Sequence, residues 1–360
     1  MGTDLFGYRL TYLNNGNISR QQWRHAGATE NASYDYTYDG LNRLTSATSA
    51  DNKYSVSNLT YDLNGNIRTL SRRGPTAISE TGTITFGVMD DLTYNYDPSR
   101  RSRNSIRGNI LQVVREHESA ALDYGFKANN QHKGTFFNYD DNGNVKKDLA
   151  KGIESIRYNH LNLPERIIKG NDTLLYLYDA NGAKLKKTMG SSTTGYTAST
   201  VYKNDTLELI HTPEGYIEPI GESYRYIYHI KDHLGNTRVS FTQGSGTTTT
   251  TLIQSQDYYP FGMEQIKERS ITNSTNLGEQ YKFNGVEYNE TLDLNLYEMD
   301  FRQYDPTIGR FLSVDPLAEE REWIVPYNFA QNNPILRVDP TGLLDWIYDK
   351  DKGNMLGMKV

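Results

Sequence analysis

A short element built on Tyr-Asp or Tyr-Asn recurs along most of this chain, and it restricts the possible folds more than any other feature. It reads Tyr12-Leu-Asn-Asn-Gly16-Asn, Tyr38-Asp-Gly-Leu-Asn42-Arg and Tyr61-Asp-Leu-Asn-Gly65-Asn in the first part of the chain. It returns as Tyr139-Asp-Asp-Asn-Gly143-Asn, Tyr158-Asn-His-Leu-Asn162-Leu and Tyr178-Asp-Ala-Asn-Gly182-Ala, and fades at Lys231-Asp-His-Leu-Gly235-Asn. Consecutive tyrosines stand 26, 23, 19 and 20 residues apart (12 to 38, 38 to 61, 139 to 158, 158 to 178). A period near 20 residues means one supersecondary unit per repeat, stacked in an array. Alternating aromatics before the turn, as in Tyr34-Asp-Tyr-Thr-Tyr38, and branched or basic residues after it read as a β-hairpin. The Asn-Gly steps at Asn15, Asn64, Asn142 and Asn181 predict tight type I′ turns, which need positive φ. Hairpins set edge to edge make one long sheet, twist coils it, and only its ends need a cap.

Composition agrees with a thin wall better than with one dense core. Of 360 residues, 36% are hydrophobic, against about 45–50% for ordinary globular domains. Much of that share is tyrosine, with 28 Tyr against 11 Phe and 3 Trp, and the mean hydropathy is −0.71. Tyrosine suits a sheet whose rings pack while the hydroxyls stay wet. A net charge of −6 speaks against nucleic acid as a partner. The Arg-rich run Ser99–Arg107 reads as a solvated loop. Cysteine is absent, which removes disulfides and thiolate chemistry. No apolar run approaches the roughly 18 residues of a membrane-spanning helix. The opening MGTDLFGYRLTY starts in mid-repeat and has no signal-peptide pattern, so a fragment of a longer protein is expected.

Other chemistry is thinly represented. The Asp and Asn alternation before each Gly resembles a calcium loop but lacks the downstream Glu, and turn chemistry explains it without a ligand. His229 and His233 have a ligand-like spacing only on a helix, and YRYIYHIKDHLGNTRVSF reads as strand and turn, so no zinc site is expected. No metal or cofactor is expected elsewhere. From Arg73 to Thr135 the repeat is irregular: GPTAISETGTITFGVMDD reads as a loop or hairpin insertion and LTYNYD as a further strand. QGSGTTTTT reads as a hairpin loop or join, with a soft boundary there.

The stretch from Tyr297 to Leu343 is different. It holds three Asp-Pro steps, at Asp305, Asp315 and Asp339, each fixing a backbone corner. Between them Phe311, Leu312, Val314, Trp323, Ile324, Val325, Tyr327 and Phe329 supply a small plug of core. GRFLSVDP followed by NNPILRVDPTGL resembles the core that closes RHS/YD-repeat proteins. KDHLGNTRVSF, YYPFGM and YKFNGVEYNETLDL upstream resemble its Bacteroidetes branch, and the repeats extend the likeness over nearly the whole chain. Asn332-Asn333-Pro334 reads as a turn.

The resemblance implies an all-β coiled array forming a spiral sheet or partial cage, closed by this core. It implies a polymorphic-toxin shell that encloses a C-terminal effector and releases it by self-cleavage after the DPxGL motif. Carried onto this chain, the bond is Leu343–Leu344, with Asp315 and Asp339 as an acid pair sharing a proton as in aspartic proteases. Arg310, in the GRF motif, could orient a carboxylate, as could Arg337. Asp315 is followed by Pro-Leu-Ala-Glu where many relatives have Pro-x-Gly-Leu; Asp339-Pro-Thr-Gly-Leu343 is complete. The organisation expected is a repeat array over 1–240, a join at 241–250, the core at 251–343 and the start of an effector module at 344–360. The parent protein is expected to be secreted or at the cell surface. Its expected partners are the effector in cis, a secretion machinery and an immunity protein. Two other classes remain: a non-catalytic adhesion or carbohydrate-binding array, and a scaffold whose acid pair is inactive.

Overall fold

The computed structural model describes residues 5–96, 107–118, 124–127, 135–244, 250–266, 277–349 and 351–357. Most of the Arg-rich run at Ser99–Arg107, His132 and the middle of the Gly/Ser/Thr stretch lie outside them. The fold is all-β. Strands up to Ser255 pair antiparallel with their neighbours in the chain, in two meanders. The first has ten strands, from Phe6–Tyr12 to Val145–Asp148, and the second eleven, from Ser155–Tyr158 to Thr250–Ser255. The one bridge across the break between them joins Asp148 to Ile153. The irregular region from Arg73 holds a long hairpin of Ile67–Ile78 and Ile84–Tyr96, and the first five residues of LTYNYD, Leu92 to Tyr96, continue its second strand. Gln243 pairs with Thr250, so the Gly/Ser/Thr stretch is a hairpin connection and the second sheet runs on to Ser255, past the expected boundary.

The repeat turns are not type I′. At Asp62 the backbone N–H donates to Asn66 O at 2.9 Å, and Gly65 N–H donates to Asp62 O at 3.1 Å. Three residues form the loop, and of them only Gly65 is left-handed, at φ +92°. A type I′ turn needs positive φ at both central residues. The aspartate removes that need. Its Oδ1 accepts from the amides of Asn64 and Asn66, both at 2.9 Å, and its Oδ2 from Asn66 Nδ2 at 2.9 Å. Asp140 repeats the pattern with Asn142 and Asn144. Where the last loop position is not glycine, Asn42 (φ 61°) and Asn162 (φ 59°) take the left-handed place, as asparagine tolerates. The Asp carboxylates of the calcium-like run are thus spent on their own loop, and its Asn side chains on that loop and a neighbouring one.

The tyrosines that end five of the first strands have dry hydroxyls, contrary to expectation. Tyr38 donates to Ile18 O at 2.7 Å, Tyr61 to Leu44 O at 2.6 Å, and Tyr96 to Ile67 O at 2.8 Å. Tyr158 donates to Val145 O at 2.7 Å and Tyr178 to Pro164 O at 3.1 Å. Each acceptor is the first residue of the second strand of the preceding hairpin. Every such rung therefore ties one hairpin to the one before it. Burial pushes the Tyr96 hydroxyl up to about 12, so it stays a neutral donor. Alongside, Asn15 and Asn17 donate to Asn42 Oδ1 at 3.0 and 2.9 Å, and Asn142 and Asn144 to Asn162 Oδ1 at 3.1 and 2.8 Å. The loops thus form a hydrogen-bonded row.

The end of the second sheet returns to the start of the first. Ser255 Oγ lies 2.9 Å from His25 Nδ1, and His25 Nε2 lies 2.9 Å from Asp257 Oδ1. This looks like a hydrolase triad, but Asp257 is also paired with Arg238, whose guanidinium lies over Phe6, Trp23 and Tyr258. The aspartate's charge is spent on the buried arginine, and the group serves as a seam.

Many of the described residues after Asp257 are buried against the array. Phe283, Tyr297, Tyr304, Phe311 and Phe329 form an aromatic centre, in one apolar cluster with Ile18, Leu44, Ile67 and Leu111 of the first sheet and Ile167 and Leu174 of the second. Trp323, expected in the plug, is 70% exposed. It lies two residues past Arg321, which is buried and anchors that loop by its charge, leaving the indole outside. The core reads the loop row: Asn332 Nδ2 donates to Gly65 O at 2.8 Å, Asn333 Nδ2 to Asn42 O at 2.9 Å, and Tyr327 to Gly143 O at 2.7 Å. Buried charge fixes the other side, where Lys184 reaches Glu287 at 2.6 Å and Glu298 at 2.5 Å. Among the described residues, no helix is long and apolar enough to cross a membrane.

The rungs set a stability test. Tyr61→Phe and Tyr158→Phe, which leave a sheltered carbonyl short of a donor, lower stability by about 1–2 kcal/mol each. Tyr224→Phe, at a 58%-exposed position, changes it by less than about 0.5 kcal/mol. Urea midpoints at unchanged slope measure all three.

Candidate functional site

The site grows from two Asp-Pro corners. At the second, Asp339 Oδ1 accepts from the amides of Gly342 at 2.8 Å and Leu343 at 3.0 Å, closing the turn over Pro340 and Thr341. Gly342 has φ +78°, and a Cβ there would stand 3.2 Å from Arg302 N and 3.3 Å from Arg302 Cβ. Glycine is required for both reasons. At the first corner, Asp315 Oδ1 accepts from Leu317 N at 2.8 Å. Asp305, the remaining corner, accepts from Thr307 N at 2.9 Å and pairs with Lys151 at 3.2 Å, away from the other two.

Asp315 and Asp339 do converge, but on a cation. Arg302 Nη2 lies 3.3 Å from Asp315 Oδ2 and 3.2 Å from Asp339 Oδ2. The Arg302 and Asp339 side chains are each 1% exposed. The other donors of Arg302 go to Gly342 O at 2.5 Å and Pro326 O at 3.1 Å, and its plane lies 3.6 Å from the Phe311 ring centre. A guanidinium thus stands where a shared proton was expected. It permits two carboxylates to approach inside apolar surroundings.

Arg310 is not in this cluster. Its guanidinium donates to Asn66 Oδ1 at 3.2 Å, Tyr96 Oη at 3.2 Å and Asn109 O at 2.8 Å, and so docks the core on the loop row. Arg337 lies on the two-residue strand Arg337–Val338, where its charge pulls the Asp345 carboxyl down. Arg302, Arg321 and Asp345 were not singled out from sequence. Arg321 Nη2 pairs with Asp315 Oδ2 and donates to Leu343 O at 2.5 Å. Its Nη1 lies 3.3 Å from Asp345 Oδ2, which also accepts from Gln331 Nε2 at 3.1 Å. A usable signal existed. Buried acids need cations, and the stretch 297–343 offers only four, Arg302, Arg310, Arg321 and Arg337.

Three carboxylates therefore face two guanidinium groups. Burial, then the nearby Asp339, pushes Asp345 up to about 6. Burial also raises Asp339, against the pull of Arg302 and the Leu343 and Gly342 amides. The cluster can hold a proton in mildly acidic solution. The residues after Leu343 stay attached: Trp346–Asp349 pairs with Arg337–Val338, and Tyr348 N donates to Leu336 O at 3.0 Å. His233, of the rejected zinc pair, packs on Tyr348 and sits 2.9 Å from Ile335 O, while His229 lies against Tyr216 and is pushed down to about 4 by burial.

The chain has informative likenesses. No protein-family model matches it. It is 29% identical over 231 residues to salivary gland surface protein 1 of Aedes aegypti, covering 57% of this chain and 6% of that protein. It is 25% identical over 330 residues to the tRNA3(Ser)-specific nuclease WapA of Bacillus spizizenii, covering 86% of this chain and 12% of that one. It is 31% identical over 134 residues to toxin subunit YenC1 of Yersinia entomophaga, covering 37% and 12%. The crystal structure of TcdB2-TccC3-TEV superposes with a TM-score of 0.60 at 16% identity over 94% of this chain and 18% of that chain, which is a likeness of fold. The chain thus spans 6–12% of the length of these curated relatives.

The raised Asp345 has a consequence for stability. A carboxyl whose folded pKa lies above its unfolded value adds stability that is fully present below about 3.8 and is lost as pH rises through about 6. Urea midpoints of the wild type are expected to fall across that window. Asp345→Asn, which cannot ionise, flattens the fall by ~1–3 kcal/mol.

Proposed function

We propose that this RHS/YD-repeat, toxin-like chain is shell and closing core for a C-terminal effector, which it frees by one hydrolysis at Leu343–Leu344. The observation that supports this reading best is the meeting of Asp315, Asp339 and Arg302 at the Gly342–Leu343 turn. Asp339 is buried, raised in pKa and tied to the amide of the residue that carries the reacting carbonyl. In the proposed reaction, water attacks the Leu343 carbonyl carbon while one carboxylate takes its proton. A protonated carboxyl then delivers a proton to the Leu344 nitrogen as the C–N bond breaks. Arg302 holds both acids in place and offsets the charge that remains. The reaction is a single turnover in cis, with no activity on other chains.

The Bacteroidetes-type core motifs support a polymorphic-toxin setting, secreted or at the cell surface. There the effector continues from the module beginning at 344, and a secretion machinery and an immunity protein are the further partners. One observation favours the second reading, an adhesion or carbohydrate-binding surface. Tyr224, Tyr226 and Tyr228 are 58%, 55% and 40% exposed in a row on one strand. That reading needs no cleavage.

Intact mass of the 360-residue chain separates the two. Cleavage gives fragments 1–343 and 344–360 from the wild type and an unbroken Asp339→Asn. An unbroken wild type would count against self-processing. Breaks at Asp-Pro bonds in both proteins would be acid hydrolysis of the backbone rather than the site's chemistry.

A further inference from the structure

Arg302 and Arg321 share Asp315, but they are not equivalent. All three Arg302 nitrogens are engaged, with Gly342 O, Pro326 O and the two carboxylates. Arg321 is also buried, at 8% exposure, yet its Nε is a sheltered donor with no partner. Nε and Nη2 form one edge of the planar guanidinium fork. Nη2 already donates to Leu343 O at 2.5 Å, so the guanidinium that holds the carbonyl oxygen of the bond proposed to break carries an unused N–H next to that donor.

The opposite side of the fork is fixed by the chain just beyond that bond. Nη1 of Arg321 lies 3.3 Å from Asp345 Oδ2, and Gln331 holds the same oxygen at 3.1 Å. Asp345 is the second residue after the bond. The local chain therefore carries an acid that grips the guanidinium, and the guanidinium in turn grips the carbonyl. Arg321 belongs to the loop after Asp315 in which this sequence reads Pro-Leu-Ala-Glu-Glu-Arg in place of Pro-x-Gly-Leu.

We infer that Arg321 is the electrophilic residue of cleavage at Leu343–Leu344, holding the Leu343 oxygen as it becomes an oxyanion, and that Asp345 positions it there. This rests on the self-cleavage reading above. When water adds to the Leu343 carbon, the C=O electron pair moves onto oxygen, which gains a full negative charge. A second N–H on the Nε–Nη2 edge is then free to bond to it. The interaction is stronger in the transition state than before it, which is what lowers a barrier. When the intermediate collapses, the pair returns to the carbonyl, the C–N bond breaks and Leu344 leaves as a neutral amine. Water has supplied the hydroxyl to Leu343 and a proton to Leu344. No other reactant is consumed.

The test is cleavage of the 360-residue chain followed by intact mass during cell-free synthesis. Arg321→Ala is expected to slow the break by about 10²–10³-fold, the usual loss of an oxyanion donor. Guanidinium ion at a sub-denaturing concentration restores part of the rate, which it would not do for a misfolded chain. Arg321→Lys retains a charge without the fork and falls between the two. Asp345→Asn slows cleavage less than Arg321→Ala does. Cleavage of Arg321→Ala at the wild-type rate would overturn this inference alone. So would a slow Arg321→Ala that guanidinium does not rescue, because Arg321 would then serve only the fold. A wild type that never breaks would remove both this inference and the self-cleavage reading.

Discussion

A tyrosine hydroxyl buried against a backbone carbonyl contributes only about 1 kcal/mol net, yet the array depends on that contact being repeated. Tyr38, Tyr61, Tyr96, Tyr158 and Tyr178 each reach the first residue of the preceding hairpin's second strand. The rungs lie beside the loops, at the ends of the strands where Asp62 and Asp140 gather their own amides. One margin of each sheet is thereby made regular in height and chemistry. A chain with 36% hydrophobic residues can hold such a wall together because its largest apolar side chains also carry the hydrogen bond that sets their register.

The core uses that margin as a template. Asn332, Asn333, Tyr327 and Arg310 all address loop atoms, at Gly65, Asn42, Asn17, Gly143 and Asn109. Their polar groups would be costly to bury without partners. Placed against the loop row they fix the rotation of the core inside the array. The two Asp-Pro corners, at Asp315 and Asp339, are then brought together. Arg302, stacked on Phe311, is where they meet. Removing that guanidinium would leave the buried Asp339 without its cation, while Asp315 keeps Arg321, a loss of about 3–5 kcal/mol for breaking a buried pair.

Much of this was legible in the residues. The period of the tyrosines, the Asn-Gly loops and the alternation before them point to hairpins because each signal acts over fewer than ten residues. The turn type was misread because Asn-Gly was considered without the aspartate ahead of it, whose carboxylate keeps the loop asparagine out of the left-handed region. The hydroxyls were expected in water because nothing local shows that the preceding hairpin covers them. In the site, Asp315 and Asp339 stood out by their Asp-Pro steps. Arg310 stood out as part of the GRF motif, and it points instead to Asn66 and Asn109.

By itself the sequence determined an antiparallel hairpin array with a compact, proline-cornered segment at its end, since hydrophobic period and turn chemistry are short-range properties of the chain. Tertiary structure alone decided which cation meets which acid. Four arginines in the core were candidates, and packing sent Arg302 to the acid pair, Arg321 to Leu343 and Asp345, and Arg310 to the loop row. Charge pairing in a dry interior depends on distances of a few ångströms between residues far apart in sequence, and these are set only once the array has closed around the core.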